Sequence, residues 1–351
     1  MPAIPRIAVD AMGGDHAPAA VVAGAVEAVR SAPGALEVIL VGARDRIGTE
    51  LARLGAASEP SITIVHASQT VDMDEPVATA LRMKKDSSIR VSARLVKEGQ
   101  ASAMFSAGNT GAVMATAKIL LGAVEGVDRP AIAVTCPARH GKVVILDAGA
   151  NVDCKPHHFL QFAVMGYLYA RSVHGVADPR VGLLSIGEED TKGTDTTREV
   201  FKILRESHIN FIGNVEGNDL YSGRVDVVVT DGFTGNVALK VSESLAESIK
   251  IALAEEIRSS LRTKLGYLVI KPAFDRMRRR LDYAEYGGAP LLGARECVII
   301  GHGRSSPKAV RNALRMAGEF VASGVNATIA QEIRAVSEAE SRIGGAGAVR
   351  A

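Results

Sequence analysis

The chain has 351 residues, of which 47% are hydrophobic, 23% charged and 4% aromatic. That length and apolar content fill a core without help, which excludes a disordered chain and a disulfide-stapled scaffold. The net charge of +2, from 41 Lys and Arg against 39 Asp and Glu, excludes a general nucleic-acid binder, and the absence of tryptophan leaves few stacking platforms for single strands.

Short aliphatic runs alternate with helical patterns from one end to the other. The runs predict strands over 7–10, 37–41, 61–65, 101–105, 131–135, 143–147, 181–185, 210–212, 226–230 and 296–300. Apolar spacing near the helical period predicts helices over 17–31, 45–54, 109–121, 156–174, 194–207, 235–261 and 305–322. Such alternation joins parallel strands by helical crossovers, so the fold class is α/β: a three-layer α/β/α sandwich with a largely parallel, mixed sheet. No composition shift marks a linker. Residues 1–340 therefore read as one large domain carrying a protruding helical hairpin over 235–285, and the glycine-rich stretch 341–351 as a disordered tail. The N-terminal residues lack the pattern of a signal peptide, and nowhere do 18 apolar residues run together. Cys136, Cys154 and Cys297 have no metal-ligand spacing, which points to a reducing cytoplasm and no thiolate zinc site.

In an open α/β sheet, ligands gather where strands end at their carboxyl side and loops lead into helix N-termini. Five such loops are rich in glycine and polar side chains: 10–18, 106–111, 147–151, 187–193 and 231–236. Glycine allows close backbone approach, and free helix N-terminal N–H groups favour an anion, so five loops of this kind predict a phosphate-handling cleft. Other chemistries fit poorly. Gly301-His302-Gly303-Arg304-Ser305-Ser306 follows a strand but lacks the third glycine of a dinucleotide fingerprint, and Glu319 falls inside a helix instead of at a strand tip. No triphosphate-binding loop or G-x-S-x-G elbow occurs. His157 and His158, adjacent at a helix start, point about 100° apart, so at most one joins Asp153 and no metal site is expected. His16 stands out because it lies in the glycine-rich mouth of the first strand.

These loops carry a recognisable pattern. Val9-Asp10-Ala11-Met12-Gly13-Gly14-Asp15-His16-Ala17-Pro18 resembles the N-terminal signature of the bacterial phosphate acyltransferases of phospholipid synthesis. Further resemblances follow in order at 81–88, 106–111, 149–156, 186–193, 213–217, 231–240, 283–293 and 302–312, covering roughly residues 5–325. Ser185 and Asp190 are small departures. The resemblance implies the fold of isocitrate and isopropylmalate dehydrogenases and phosphate acetyltransferase, and a homodimer without cofactor or metal. It also implies transfer of a fatty acyl group from acyl-[acyl-carrier protein] to inorganic phosphate, giving acyl phosphate. It points to His16, Lys192 and Asn236 as the catalytic set, with Asp10, Gly13, Gly14, Asn109, Thr110, Asn151, Asp231 and Gly235 shaping the substrate and phosphate site. Lys192 would neutralise phosphate, Asn236 donate to phosphate or oxyanion, and His16 transfer a proton. Without the resemblance, Lys192 reads as a loop lysine answering Glu188, Glu189 and Asp190, and Asn236 as a helix cap. Alternative functions are a metal- and NAD-dependent dehydrogenase of the related fold, and a non-catalytic scaffold at a membrane surface.

Two surfaces complete the expectations. Arg82, Lys84, Lys85, Arg90, Arg94 and Lys97, against Asp86 alone, read as a solvated helix face or as a docking patch for the carrier protein, whose acidic surface the resemblance implies. Val241, Leu245, Ile249, Leu253, Ile257 and Leu261 recur every four residues, as in a helix stripe that packs on protein, most simply the core or a dimer partner. Beyond it Leu265, Leu268, Val269, Ile270 and Phe274, flanked by cations including Arg278, Arg279 and Arg280, read as an apolar hairpin tip. The pattern suits contact with an anionic membrane, and the family resemblance implies that this is the inner face of the cell membrane, near a glycerol-3-phosphate acyltransferase.

Overall fold

The computed structural model describes residues 4–335 except residue 282; the side chains of 278–281 and 283 also fall outside the description. Arg278, Arg279 and Arg280 as side chains, and the expected tail, therefore lie outside the described residues. The elements run β1 (Arg6–Asp10), α1 (Ala19–Ser31), β2 (Glu37–Gly42), α2 (Arg44–Arg53), β3 (Ile62–His66), α3 (Val77–Met83), α4 (Ser88–Lys97), β4 (Ala103–Ser106) and α5 (Thr110–Leu120). They continue β5 (Ala131–Ile132), β6 (Val134–Pro137), β7 (Lys142–Leu146), α6 (Pro156–Ser172), β8 (Val181–Leu184), α7 (Asp195–Glu206), β9 (Phe211–Val215) and β10 (Val227–Val229). Last come α8 (Gly232–Arg258), α9 (Leu261–Leu281), β11 (Ala289–Leu292), β12 (Cys297–Ile300) and α10 (Pro307–Ser323).

The strands form two sheets, ordered β3-β2-β1-β4-β12-β11-β5 and β6-β7-β10-β8-β9. Pairing is parallel except at β11 with β12 and β5, and at β6 with β7. Alternate residues of β1 and β2 face opposite layers. Ile7, Val9, Val38 and Leu40 join one core cluster with α1 and α10, while Ala8, Ile39 and Val41 join another with α4 and α5. The second sheet continues both layers, with Leu146, Val227 and Val229 against α6 and Ile145 and Val228 on the opposite side. Two covered faces explain why β10 is an unbroken run of fully buried valines instead of an alternating strand. Phe162, Met165 and Tyr169 of α6 are likewise fully buried, and burial of each such side chain contributes about 1.5–3 kcal/mol.

Three features depart from the sequence reading. The strand expected over 131–135 is two strands, because the chain changes sheets at Ala133, whose N–H donates to the Pro290 carbonyl. β11 has no counterpart among the expected strands, because Pro290 within it and the preceding Gly287-Gly288 give the segment little strand signature. The hairpin turns at Ser259-Ser260, so Leu265–Ile270 lies inside α9 and not at a tip, and α9 runs on through Pro272. Of the two surfaces expected for the α8 stripe, this chain's own core is not the one: Val241, Leu245 and Ile249 are each about 60% exposed, and beyond Leu239 no described residue of α8 is buried.

Candidate active site

Three loops meet at the carboxyl ends of the adjacent parallel strands β1, β4 and β12. Asp10, fully buried, accepts the Met12 N–H on Oδ1 at 3.1 Å and the Ser106 hydroxyl on Oδ2 at 2.7 Å. Ser106 Oγ in turn accepts the Gly108 N–H at 3.1 Å. Burial pushes the Asp10 carboxyl above its ordinary range, and these hydrogen bonds oppose the rise. Gly13 is required where it stands, because a Cβ there would lie 2.4 Å from Asp10 Oδ2 and 2.7 Å from the Gly108 nitrogen. Gly14 adopts φ of +105° beside the Gly303 carbonyl, which accepts the Asp15 N–H at 2.8 Å. The next residue, His16, is exposed, and its ring makes no hydrogen bond among the described residues. Asn109 caps α5 by accepting the Ala112 N–H, while its amide donates to the Met73 and Glu75 carbonyls, each at 3.0 Å. It therefore fixes the neighbouring 72–75 turn. Thr110 is the exposed first residue of α5.

The second sheet offers a matching set. Asp147, fully buried after β7, accepts five hydrogen bonds: from the Ile132, Gly149 and Ala150 N–H groups on Oδ1, and from the Asn151 backbone and amide on Oδ2. Burial raises its carboxyl as well. Asn151 also donates to the Pro130 carbonyl at 2.9 Å and accepts the Gly232 N–H at 2.7 Å. Asp231 is the N-cap of α8, accepting the Thr234 N–H and hydroxyl at 2.8 Å. Asn236 is thus no cap. It stands one turn further on, exposed, with no side-chain hydrogen bond among the described residues. Gly235 lets α8 press onto the β7 loop, since a Cβ there would fall 2.0 Å from the Asp147 carbonyl oxygen. Gly149 lies on the other side, where a Cβ would be 3.7 Å from Asn236 Cγ.

Lys192 follows β8, the neighbour of β10. Two of the acids near it are answered elsewhere, Glu188 by Arg224 and Asp190 by Arg205, while the Glu189 backbone carbonyl accepts the Asn214 amide. The Lys192 ammonium is exposed and makes no hydrogen bond or ion pair among the described residues. His16, Lys192 and Asn236 share this condition, and no hydrogen bond joins any of them to another.

A link that sequence reasoning missed connects the two loop sets. Lys240, one turn beyond Asn236 on α8, places Nζ 3.4 Å from His302 Nε2 in the β12 loop, and 3.0 Å from Glu243 Oε2. Nucleophile and metal readings fare worse. Burial pushes the Cys154 thiol up to about 11 and the Cys136 thiol up to about 12, so neither is a thiolate. His157 and His158 meet Asp128, not Asp153. His158 Nδ1 accepts the Lys155 N–H at 2.9 Å, which puts the ring proton on Nε2, where it donates to Asp128 at 2.7 Å. A nitrogen that carries a proton is not a metal ligand.

Among the basic residues, Lys84 is held by Glu75 and the Thr70 carbonyl, and Arg90 donates to the Leu81 carbonyl. Arg82, Lys85 and Arg94 are exposed, and Arg90, Arg94 and Lys97 border a shallow depression beside Leu120. On α9, Leu265, Leu268, Val269 and Ile270 are exposed, and Phe274 is half-buried against Tyr267.

A family model described as a fatty acid synthesis protein matches residues 5–328. The phosphate acyltransferase of Acidobacterium capsulatum is 48% identical over 335 residues, covering 95% of this chain and 99% of that protein. The chain belongs to the phosphate acyltransferase family. The Geobacter sulfurreducens phosphate acyltransferase is 51% identical over 328 residues, covering 93% of this chain and 94% of its own. Among solved structures, a phosphotransacetylase from Streptococcus pyogenes superposes with a TM-score of 0.64 at 18% identity, over 90% of this chain and 94% of that one. A branched-chain phosphotransacylase from Enterococcus faecalis gives 0.54 at 14%, over 90% and 99%. These two share the fold of the acyltransferase. The glycine-rich loops described above all fall within the span matched by the family model.

Proposed function

We propose that this acyltransferase moves a fatty acyl group from acyl-[acyl-carrier protein] to inorganic phosphate, releasing acyl phosphate for phospholipid synthesis and free carrier protein. A phosphate oxygen attacks the thioester carbonyl, the C–S bond breaks, and the departing thiolate takes a proton. Phosphate at neutral pH is already an anionic nucleophile, so the site needs to capture and orient it more than activate it. Lys192 neutralises phosphate, Asn236 donates to phosphate or to the oxyanion that develops on the carbonyl, and His16 handles the proton. Asp10, Asn109, Asn151 and Asp231 position the loops, while Gly13, Gly14, Thr110 and Gly235 form the walls. The observation that carries this reading is the exposed Lys192 ammonium, which makes no hydrogen bond or ion pair among the described residues while Glu188 and Asp190 pair with arginines. A dehydrogenase would need a metal-carboxylate cluster, and the one candidate cluster among the described residues contains His158 as a donor.

The exposed Val241-Leu245-Ile249 stripe fits a homodimer contact. The open α9 face fits peripheral attachment to an anionic membrane, which would keep the labile product near a glycerol-3-phosphate acyltransferase. No helix among the described residues is long and apolar enough to cross a membrane. Arg82, Lys85, Arg90 and Arg94 fit carrier docking. The deciding experiment mixes acyl-carrier thioester with phosphate and follows acyl phosphate. His16→Ala and Lys192→Ala should each lower turnover by about 10²-fold or more with folding retained. Turnover near that of the unaltered protein in either folded variant removes that residue from the mechanism.

A further inference from the structure

We infer that Asn214, on β9, is the positioning residue of the Lys192 loop. Residues 213–217 carry one of the family-like motifs, and the site described above leaves it unexplained. β9 runs parallel to β8, with Val181 opposite Phe211 but Leu183 opposite Asn214, so β9 holds one residue more than β8 between the two pairs. That bulge puts Gly213 at φ of +99°, an angle open to glycine. Space is not what requires the glycine, since the nearest atom to a Cβ there would be Phe201 Cε2 at 3.9 Å. One inserted residue moves every later side chain to the other face of a strand. Here it turns Asn214 inward, 3% exposed, toward the loop that follows β8.

Asn214 Nδ2 donates to the Glu189 carbonyl at 2.9 Å, and the same oxygen accepts the Lys192 N–H at 3.0 Å. The amide thus grips the turn whose last residue is Lys192. The lysine stem closes the turn on its other side, where a Cβ on Gly187 would lie 3.1 Å from Lys192 Cγ. Glu188 and Asp190 are also held, by Arg224 and Arg205, but all four of those side chains are exposed, where an ion pair contributes little. The buried bond is the stronger hold. It comes at a cost, because Asn214 Oδ1 is buried with no hydrogen bond among the described residues. Leucine, which branches at the same carbon, would remove the orphaned oxygen and leave the Glu189 carbonyl bonded to the Lys192 N–H. Asn214 therefore contributes more to where Lys192 sits than to the stability of the fold.

The grip does not depend on the function proposed above; its effect on turnover rests on that reading, in which Lys192 meets phosphate. Asn214→Leu tests both, with Asn214→Ala as the smaller alternative should leucine crowd the site. The melting temperature of Asn214→Leu should hold or rise, while amide hydrogen exchange at Lys192 quickens tenfold or more. The apparent KM for phosphate should rise tenfold or more and the KM for acyl-carrier thioester stay within twofold, a split that general loosening of the fold does not produce. Gly213→Ala should give the same exchange and KM pattern through the backbone angle, and Arg205→Gln should change neither reading. Unchanged exchange at Lys192, or faster exchange with an unchanged KM for phosphate, in folded variants overturns the proposal. A lower melting temperature with a fall in kcat alone does the same. No acyl phosphate from the unaltered protein would instead refute the reaction, and exchange at Lys192 would then decide the grip alone.

Discussion

Gly235→Ala puts the contact between α8 and the β7 loop to a direct test. The added Cβ would lie 2.0 Å from the Asp147 carbonyl oxygen and 3.0 Å from Thr230 Cγ2. To reach ordinary contact the first turn of α8 must retreat by about 1.4 Å, and it carries Asn236 with it. Overpacking of this kind costs about 1–3 kcal/mol, of which alanine's better helix propensity offsets about 1 kcal/mol. Because the clash is with backbone and not with the end of a flexible side chain, the net loss falls at or above the upper end of that range, about 2 kcal/mol or more, and the turnover comparison is made on the folded fraction. A shift of this size at a reacting group is worth about 10²-fold in rate. Gly48→Ala in α2 is the control: nothing lies within 4 Å of its Cβ position, so it should gain up to about 1 kcal/mol and leave turnover unchanged. Thermal melts paired with acyl phosphate assays read both effects. A folded Gly235→Ala protein that turns over within threefold of the unaltered one refutes the claim that this contact positions Asn236.

Other outcomes follow from particular contacts. Charge reversal at Arg90 and Arg94 should raise the apparent KM for carrier-bound substrate and flatten its salt dependence, whereas Lys84→Met, which breaks the Glu75 pair, should lower the melting temperature without changing that dependence; equal salt curves for all variants place docking elsewhere. His174, its ring bonded to Thr135 Oγ1, is held by burial down to about 4 from 6.5, a depressed value that contributes stability above the unfolded pKa and loses it as pH falls. Denaturation midpoints should thus drop between about pH 6.5 and 4, with a contribution of up to ~3 kcal/mol that His174→Gln removes; a slope identical in that variant excludes the group. Leu268→Glu with Ile270→Glu should abolish cosedimentation with anionic vesicles while soluble turnover persists, and undiminished binding would sink membrane attachment through α9.

The alternation of strands and helices was legible because buried parallel strands read as short aliphatic runs, and Val227–Val229 is the plainest case. The split at Ala133 was not, since a change of sheet costs the chain no change of residue type. In the proposed site, His16 stood out from its glycine-rich loop, whereas Lys192 and Asn236 rested on the family resemblance, since by themselves they read as a solvated loop lysine and a helix cap. Asp147 was passed over because its role is to gather five N–H donors inside the fold, which no spacing announces. Lys240 escaped for a different reason. Between Leu239 and Val241 of a long helix it looks like any solvent-facing cation, and only tertiary structure sets it against His302.

The order of strands in the first sheet also bears on how the chain is made. β12 lies between β4 and β11, yet it leaves the ribosome roughly 190 residues after β4, which is about 10–40 s of synthesis. Until then β4 offers an open edge next to β1, while β6 to β10, contiguous in sequence, are already available to pair with one another. The sheet bearing the β8 and β10 loops can therefore be completed first, and the loop that carries His16 meets Gly303 only when β11 and β12, made last, add beside β4.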